Sequence, residues 1–288
     1  KCLLSWITTL HEISDGQVIA IDGKTLRRSF DAASSKSAIH MVSAWASANH
    51  ISLGQVVVDA KSNEITAIPK LLEMLVISGA LVTIDAMGCQ TEIAKQIVDA
   101  DADYCLAVKG NQPTLHQGLI DFFLDRMDDD FARTKVRRYV TEEKGHGRQE
   151  RREYYICPVP DDLPDRGRWK GIKAIGLAIN ITIRNGQETG EVRHYILSRY
   201  LSGKRFAEAV RGHWSIENAC HWSLDVTYRE DDSRIRTELQ RENIAWLNRF
   251  TLSLLKQHPG RGSLAMKRRS CGWDDRFLIQ VLAGQGAK

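Results

Sequence analysis

Two strings end an apolar, β-branched run in a bare carboxylate: VIAID closes on Asp22 and LVTID on Asp85. Such runs fit buried strands, and side chains at the carboxyl ends of strands in an α/β sheet face the crevice where ligands bind. If the two strands are neighbours, two like charges meet, and each resists ionisation unless a proton or cation sits between them. A hard divalent cation such as Mg²⁺, which takes oxygen ligands and keeps several waters, resolves that conflict. A lone Asp after a strand more often shapes a turn, so a third acid is needed for a metal-assisted phosphoryl-transfer site. Glu217 is the candidate. In RGHWSIENACHWSLDVTYRED, residues His213, Glu217, His221 and Asp225 recur every four positions, and on a regular α-helix they form one stripe. That stripe admits two other readings. One is zinc held by His and Glu, although no Cys or further His is spaced to close a four-ligand site. The other is an amphipathic helix with its polar edge in solvent.

Periodicity and breakers indicate the elements that position these residues. VIAID (18–22) reads as a strand, the polar loop GKTLRRSFDAASSKS follows, and AIHMVSAWAS and ISLGQVVVDA are strands joined by a turn at Asn49 and His50. A helix capped at Thr66, with Pro69 in its first turn and Ile68, Leu71, Leu72 and Leu75 on one face, leads to the strand ALVTID. Thr91 caps a helix that buries Ile93, Ile97 and Val98; DYCLAVKGN is a strand ending in Lys109 and a Gly-Asn turn; QPTLHQGLIDFFLDRM is helical in pattern. The order β-β-β-α-β-α-β-α joins an antiparallel meander to units that demand parallel strands. It predicts an α/β fold, a ribonuclease-H-like mixed sheet with flanking helices and a β-rich insertion before the last helix of the core. The expected plan is 1–16 as the remnant of a helical region, 17–130 as the first part of the core and 131–200 as the β-rich basic insertion. Residues 201–260 carry the helix that completes the core, with a further helix near Asn243 to Lys256, and 261–288 form a basic, Gly-punctuated tail.

Composition narrows the class. The 288 residues, 43% hydrophobic and 26% charged, are those of an ordinary globular protein with room for a sizeable core. A net charge of +4, from 40 basic and 36 acidic side chains, is too mild to announce nucleic acid. Its distribution is more telling: Arg133, Lys135, Arg137, Arg138, Lys144, Arg148, Arg151 and Arg152 make a basic segment, with the carboxylates expected elsewhere. Such a segment is either a solvated face or a track for phosphates. The longest apolar stretch, LLEMLVISGALVTI, carries Glu73 and Gly79 and is too short to span a membrane. KCLLSWITTLHE does not read as a signal peptide. The six Cys show no CxxC spacing, which favours neither a disulfide frame nor a thiolate metal site and points to a reducing cytoplasm.

The strings IAIDGKTLRRS, KSNEITAIPKLLEML, VTIDAMGCQTEIAKQIV, DYCLAVKGNQPTLHQ, KGHGRQERRE and RGHWSIENACHWSLDVTYRED resemble the DDE-type insertion-sequence transposases of bacteria, specifically the H-repeat-associated group found beside Rhs elements. The resemblance runs from residue 18 to about 275. It implies an Asp-Asp-Glu triad at Asp22, Asp85 and Glu217, catalytic and metal-binding, with Mg²⁺ as cofactor and Mn²⁺ as a substitute. It implies cleavage at the element's ends followed by strand transfer, with double-stranded DNA as partner at ends and target, a homodimer when active, and no membrane. On the DNA side it suggests Lys24, Arg27, Lys109, Asn111, Arg148, Arg151, Arg211 and His213. The wider superfamily places Tyr, Arg and Lys around the Glu; here His213 stands four residues before it and Leu224 seven after. The chain also opens without the N-terminal helical region that relatives place ahead of the core, KCLLSWITTLHE resembling its last helix, so a truncated or inactive copy is one expectation. The rivals are a metal-dependent endonuclease that cuts without joining and a catalytically silent DNA-binding remnant.

Overall fold

The computed structural model describes residues 15–26, 38–59, 62–145, 147–235 and 237–284, without the side chain at 238. Arg27, the segment 1–14 and the last four residues of the tail lie outside these. In chain order the strands are β1 (Val18–Thr25), β2 (His40–Ala46), β3 (Ile51–Val57), β4 (Leu81–Ile84), β5 (Asp103–Val108), β6 (Arg137–Gly145), β7 (Arg148–Pro158), β8 (Ala174–Arg184) and β9 (Gln187–Leu197). The helices are α1 (Glu64–Glu73), α2 (Thr91–Asp99), α3 (Pro113–Asp128), α4 (Gly203–Ser215), α5 (Trp222–Val226), α6 (Glu238–Gln257), α7 (Leu264–Trp273) and α8 (Asp275–Leu282). A π-helical stretch, Ile216–His221, stands between α4 and α5. The β-β-β-α-β-α-β-α order expected of the first half is the order found.

Two compact units divide the chain, one gathering Ile19–Val76 with His213–Lys288, the other Ile77–Gly212 with residues 15–18. In the first, β1, β2 and β3 form the antiparallel meander, with Asp22 opposite Ser43, Lys24 opposite Met41 and Thr25 opposite His40. Ile19, Ile21, Met41, Val42 and Trp45 are fully buried, which is why these runs fold as strands with little polar alternation. His50 takes a positive φ of 55° at the expected turn. The cap of α1 is Asn63, whose side chain accepts from the Ile65 N–H, and not Thr66; Pro69 consequently lies inside the helix, where it forfeits one backbone hydrogen bond. Glu64, at the start of α1, meets His40 Nε2 at 2.6 Å. That carboxylate occupies the space a Cβ on residue 23 would need, so Gly23 is required for the contact.

In the second unit β4 runs parallel to β5, β5 pairs antiparallel with β9, and the order continues β9-β8-β7-β6 through antiparallel pairs. The stretch expected as an insertion is thus continuous with β5, Cys105 lying opposite Leu197 and Val108 opposite His194. Its core sets Phe206 of α4 edge-on against Tyr154 and Tyr195, over Gly176, where a side chain would collide with the ring.

Two boundaries differ from expectation. Thr91 is the first helical residue of α2, preceded by Gln90 at the cap. Helix α6 begins at Glu238, before Asn243. The basic, Gly-punctuated tail carries two helices: Ser263 caps α7 by accepting from the Met266 N–H, and Asp274 caps α8 by accepting from the Arg276 and Phe277 N–H groups. Among the described residues no helix is long and apolar enough to cross a membrane.

Candidate active site

Asp22 lies within β1, directly after the buried Ile19 to Ile21 run but not at the strand's end as expected, since the ladder with β2 continues to Thr25; its side chain is 15% exposed. Its Oδ2 stands 3.5 Å from Nδ1 of His221. His221 closes the π-helical stretch that begins with Ile216 and Glu217, so the repeat of four expected on a regular α-helix runs here through a wider turn, with His221 and Asp225 both facing β1. The wider turn keeps Ile216, Cys220 and Leu224 packed on Ala20 and Trp45 and leaves Glu217 exposed and His221 buried. Single-turn π segments inside α-helices are frequent at functional sites. Lys24, expected on the DNA side, is instead buried: its Nζ meets Asp225 at 2.6 Å, Asp231 at 3.2 Å and Glu230 at 3.6 Å. An ammonium has three N–H donors, and three carboxylates surround this one. His213 is half-buried and meets Trp214 edge-on.

In the second unit Asp85 follows β4 and shapes the loop after it, its Oδ1 accepting from the Met87 and Gly88 N–H groups at 3.1 and 3.3 Å. The loop after β5 holds the same segment from the other side. Asn111 Nδ2 donates to the Ala86 carbonyl and Gln112 Nε2 to that of Cys89. Asn111, expected to meet phosphate, therefore uses its amide to fix the backbone beside Asp85, while Lys109 is exposed. Burial, then the nearby Asp85 charge, pushes the Cys89 thiol up, so it stays a protonated packing group.

The basic segment differs most from expectation, because its carboxylates are interleaved with its cations. Arg151 pairs with Glu153 and Glu142, Arg152 with Glu150 and Glu143, Arg148 with Glu150 and Arg138 with Asp130. Arg211 reaches Glu143 at 2.6 Å; its hydrogen bond holds the Glu143 carboxyl below its ordinary range, with Arg152 adding to it. Arg148, Arg151 and Arg211 are each about half exposed, so a phosphate reaching them competes with carboxylates already in place.

The transposase DDE domain family matches residues 13–255. The chain belongs to the DDE transposase family. "Putative transposase YncI" of Escherichia coli O157:H7 is 42% identical over 98% of this chain and 73% of its own length. "H repeat-associated putative transposase YhhI" of Escherichia coli K12 is 39% identical over 99% and 76%. "H repeat-associated putative transposase YbfD" of the same strain is 44% identical over 57% of this chain and 64% of its own length. The H-repeat-associated resemblance is borne out, and the activity is that of a DNA transposase, with DNA as its substrate.

DDE transposases work with divalent metal ions, and the carboxylates expected as donors are of the chemical type such an ion takes. Asp22, Asp85 and Glu217 present hard carboxylate oxygens, and His221 beside Asp22 is neutral, adding no charge to repel a cation. Among the described residues no three His, Cys, Asp or Glu side chains stand close enough together to hold a metal ion. Motif reading missed His221 as the neighbour of Asp22 and Gln112 as a clamp on the Asp85 loop. The even spacing of His221 from Glu217 pointed to the first, and nothing in the sequence to the second.

Two buried imidazoles are expected to weaken the fold of the transposase in acid. Burial, then the cations Arg249 and Lys24, lowers the pKa of His221 from 6.5 to about 3; burial, then His116, lowers that of His194 to about 4. In the unfolded chain both protonate near pH 6.5, so below that pH the unfolded state binds more protons and folding stability falls as pH drops. The contribution is complete above pH 6.5 and is lost progressively towards pH 4 and then 3. Urea midpoints measured from pH 7.5 to 4 should decline, and His194→Gln should flatten the lower part of the slope.

Proposed function

We propose that the chain cuts DNA at the ends of an insertion sequence and joins the freed 3′ ends to a target, with Asp22, Asp85 and Glu217 as the acidic residues and Mg²⁺, replaceable by Mn²⁺, as the metal. The observation that carries the reading is the placement of Asp22. It lies within a buried strand, beside a neutral imidazole on the helical stretch that bears Glu217. A ribonuclease-H-like core, a homodimeric active form and a cytoplasmic site of action belong to the same proposal.

Hydrolysis breaks a P–O3′ bond and leaves a 3′-hydroxyl; that hydroxyl then attacks a target phosphodiester and expels a new 3′-hydroxyl. A bound divalent metal would activate the attacking oxygen and stabilise the leaving one. The residues of this chain position. Asp22 and Glu217 present oxygens, His221 stays unprotonated and adds no positive charge beside Asp22, and the Asx turn of Asp85, clamped by Asn111 and Gln112, fixes the direction of its carboxylate. Lys109, Arg148, Arg151, Arg211 and His213 are proposed on the DNA side, where fixed cations stabilise charge that builds on phosphoryl oxygens. Lys24 leaves that set, because its ammonium is buried among carboxylates.

Incubation with Mg²⁺ and a duplex carrying the element's end, together with a supercoiled target, tests the proposal. Joined products support it. Nicks without joining favour the endonuclease reading, and salt-dependent binding with neither product favours a silent remnant.

A further inference from the structure

The strand that bears Asp22 and the helical stretch that bears Glu217 touch at two polar points. Asp22 meets His221 at 3.5 Å and Lys24 meets Asp225 at 2.6 Å. On the strand these residues are two apart and share a face, a separation of about 6.7 Å. On the helix they are four apart, a rise of about 6 Å. The spacings match, so both contacts form without sliding either element. We infer that Lys24 is a positioning residue of this transposase: it sets where the Asp22 strand stands against the helix of Glu217, an inference that rests on those two acids being metal ligands.

The surroundings of Lys24 carry this further than one ion pair would. Its side chain is 7% exposed, and Asp231 and Glu230 stand with Asp225 around one ammonium. Glu230 is held in turn by Arg249, whose Nη1 is 3.0 Å away and whose Nε donates to Ser43 Oγ at 3.3 Å. Ser43 is the residue opposite Asp22 in the β1–β2 ladder. The network therefore starts two residues after Asp22 and returns to its cross-strand partner. Without the ammonium, three carboxylates would face one another and repel, and α5 would move off the strand, carrying the preceding π-helical stretch with it.

The test is Mn²⁺ affinity, read by electron paramagnetic resonance on the full chain, with amide hydrogen exchange measured in parallel. Lys24→Gln should weaken Mn²⁺ binding about 10- to 100-fold, as loss of an outer group that orients ligands does, and should raise exchange over residues 216–232 while leaving 77–212 unchanged. Lys24→Arg, which keeps the charge, should recover most of the affinity. If Lys24→Gln does not fold, Asp225→Asn, which removes only the shortest contact, should still fold and lose about tenfold in affinity. A folded variant of either kind with parental Mn²⁺ affinity and parental exchange overturns the inference. Asp22→Asn separates it from the reading beneath: if that variant binds Mn²⁺ like the parent, the ligand assignment fails, and the exchange pattern of Lys24→Gln alone upholds or overturns the positioning claim.

Discussion

Asp22→Asn is expected to reduce DNA cleavage and joining about a thousandfold, the scale seen when a group that stabilises transition-state charge is removed, with the fold intact. The amide has nearly the shape of the carboxylate but no charge and weaker affinity for a hard cation. The fold should tolerate the change because of the residue beside it. His221 is buried and neutral, its pKa lowered to about 3, so replacing Asp22 removes no partner from a charged imidazole. DNA affinity should be unchanged or slightly tighter, since a negative charge near phosphates has gone. The measurement is a cleavage time course with Mg²⁺, beside a thermal melt and a binding titration of the same preparation. Cleavage within about tenfold of the parent would remove Asp22 from the acidic set, because an outer residue already accounts for a loss of that size.

Why Asp22 and Asp85 stand out in the sequence, while the contacts around them do not, follows from the range of the interactions. A strand announces itself through contiguous apolar residues, and Ile19, Ala20 and Ile21 are all fully buried; the carboxylate that ends such a run stands out from it. The same local signal gave the order of the first eight elements. Pairings between side chains far apart in the chain leave no such mark. Arg151 and Arg152 read as a basic run until the register of β6 on β7 sets Glu142 opposite Arg151 and Thr141 opposite Arg152. That register brings Glu142 and Glu143 to the guanidinium groups, whereas Glu150 and Glu153 stand two residues from their arginines on the same strand and are already visible in RQERRE.

The π-helical stretch was hidden for another reason. Its residues, IENACH, fit an α period as well as a π one, and the residues it packs against, Ala20 and Trp45, are remote in sequence. The tail helices have local marks in the sequence: Ser263 and Asp274 are ordinary helix caps, set among the glycines and basic residues of a tail whose composition alone does not announce helices.

Arg249→Met should cost about 3–5 kcal/mol of folding stability, the loss expected when one partner of a buried ion pair is removed. Arg249 is fully buried, and its Nη1 lies 3.0 Å from Glu230, itself 4% exposed. Methionine fills much of the volume yet leaves that carboxylate with Asn248 Nδ2 at 3.3 Å and Lys24 Nζ at 3.6 Å, and Lys24 is already shared with Asp225 and Asp231. Against a total stability of about 5–15 kcal/mol for a typical domain, the loss should be plain in a urea titration at 25 °C. Adding Glu230→Leu should restore most of it, because an apolar pair of similar volume leaves no charge unpaired and Lys24 keeps two partners. Restoration would show that the cost of the single variant is the stranded carboxylate and not the missing arginine contacts. A single variant within about 1 kcal/mol of the parent would instead mean that Glu230 takes up a proton or turns to solvent when Arg249 is gone. The network around Lys24 would then be looser than its distances indicate, and the spacing it imposes between Asp22 and the helix of Glu217 correspondingly weaker.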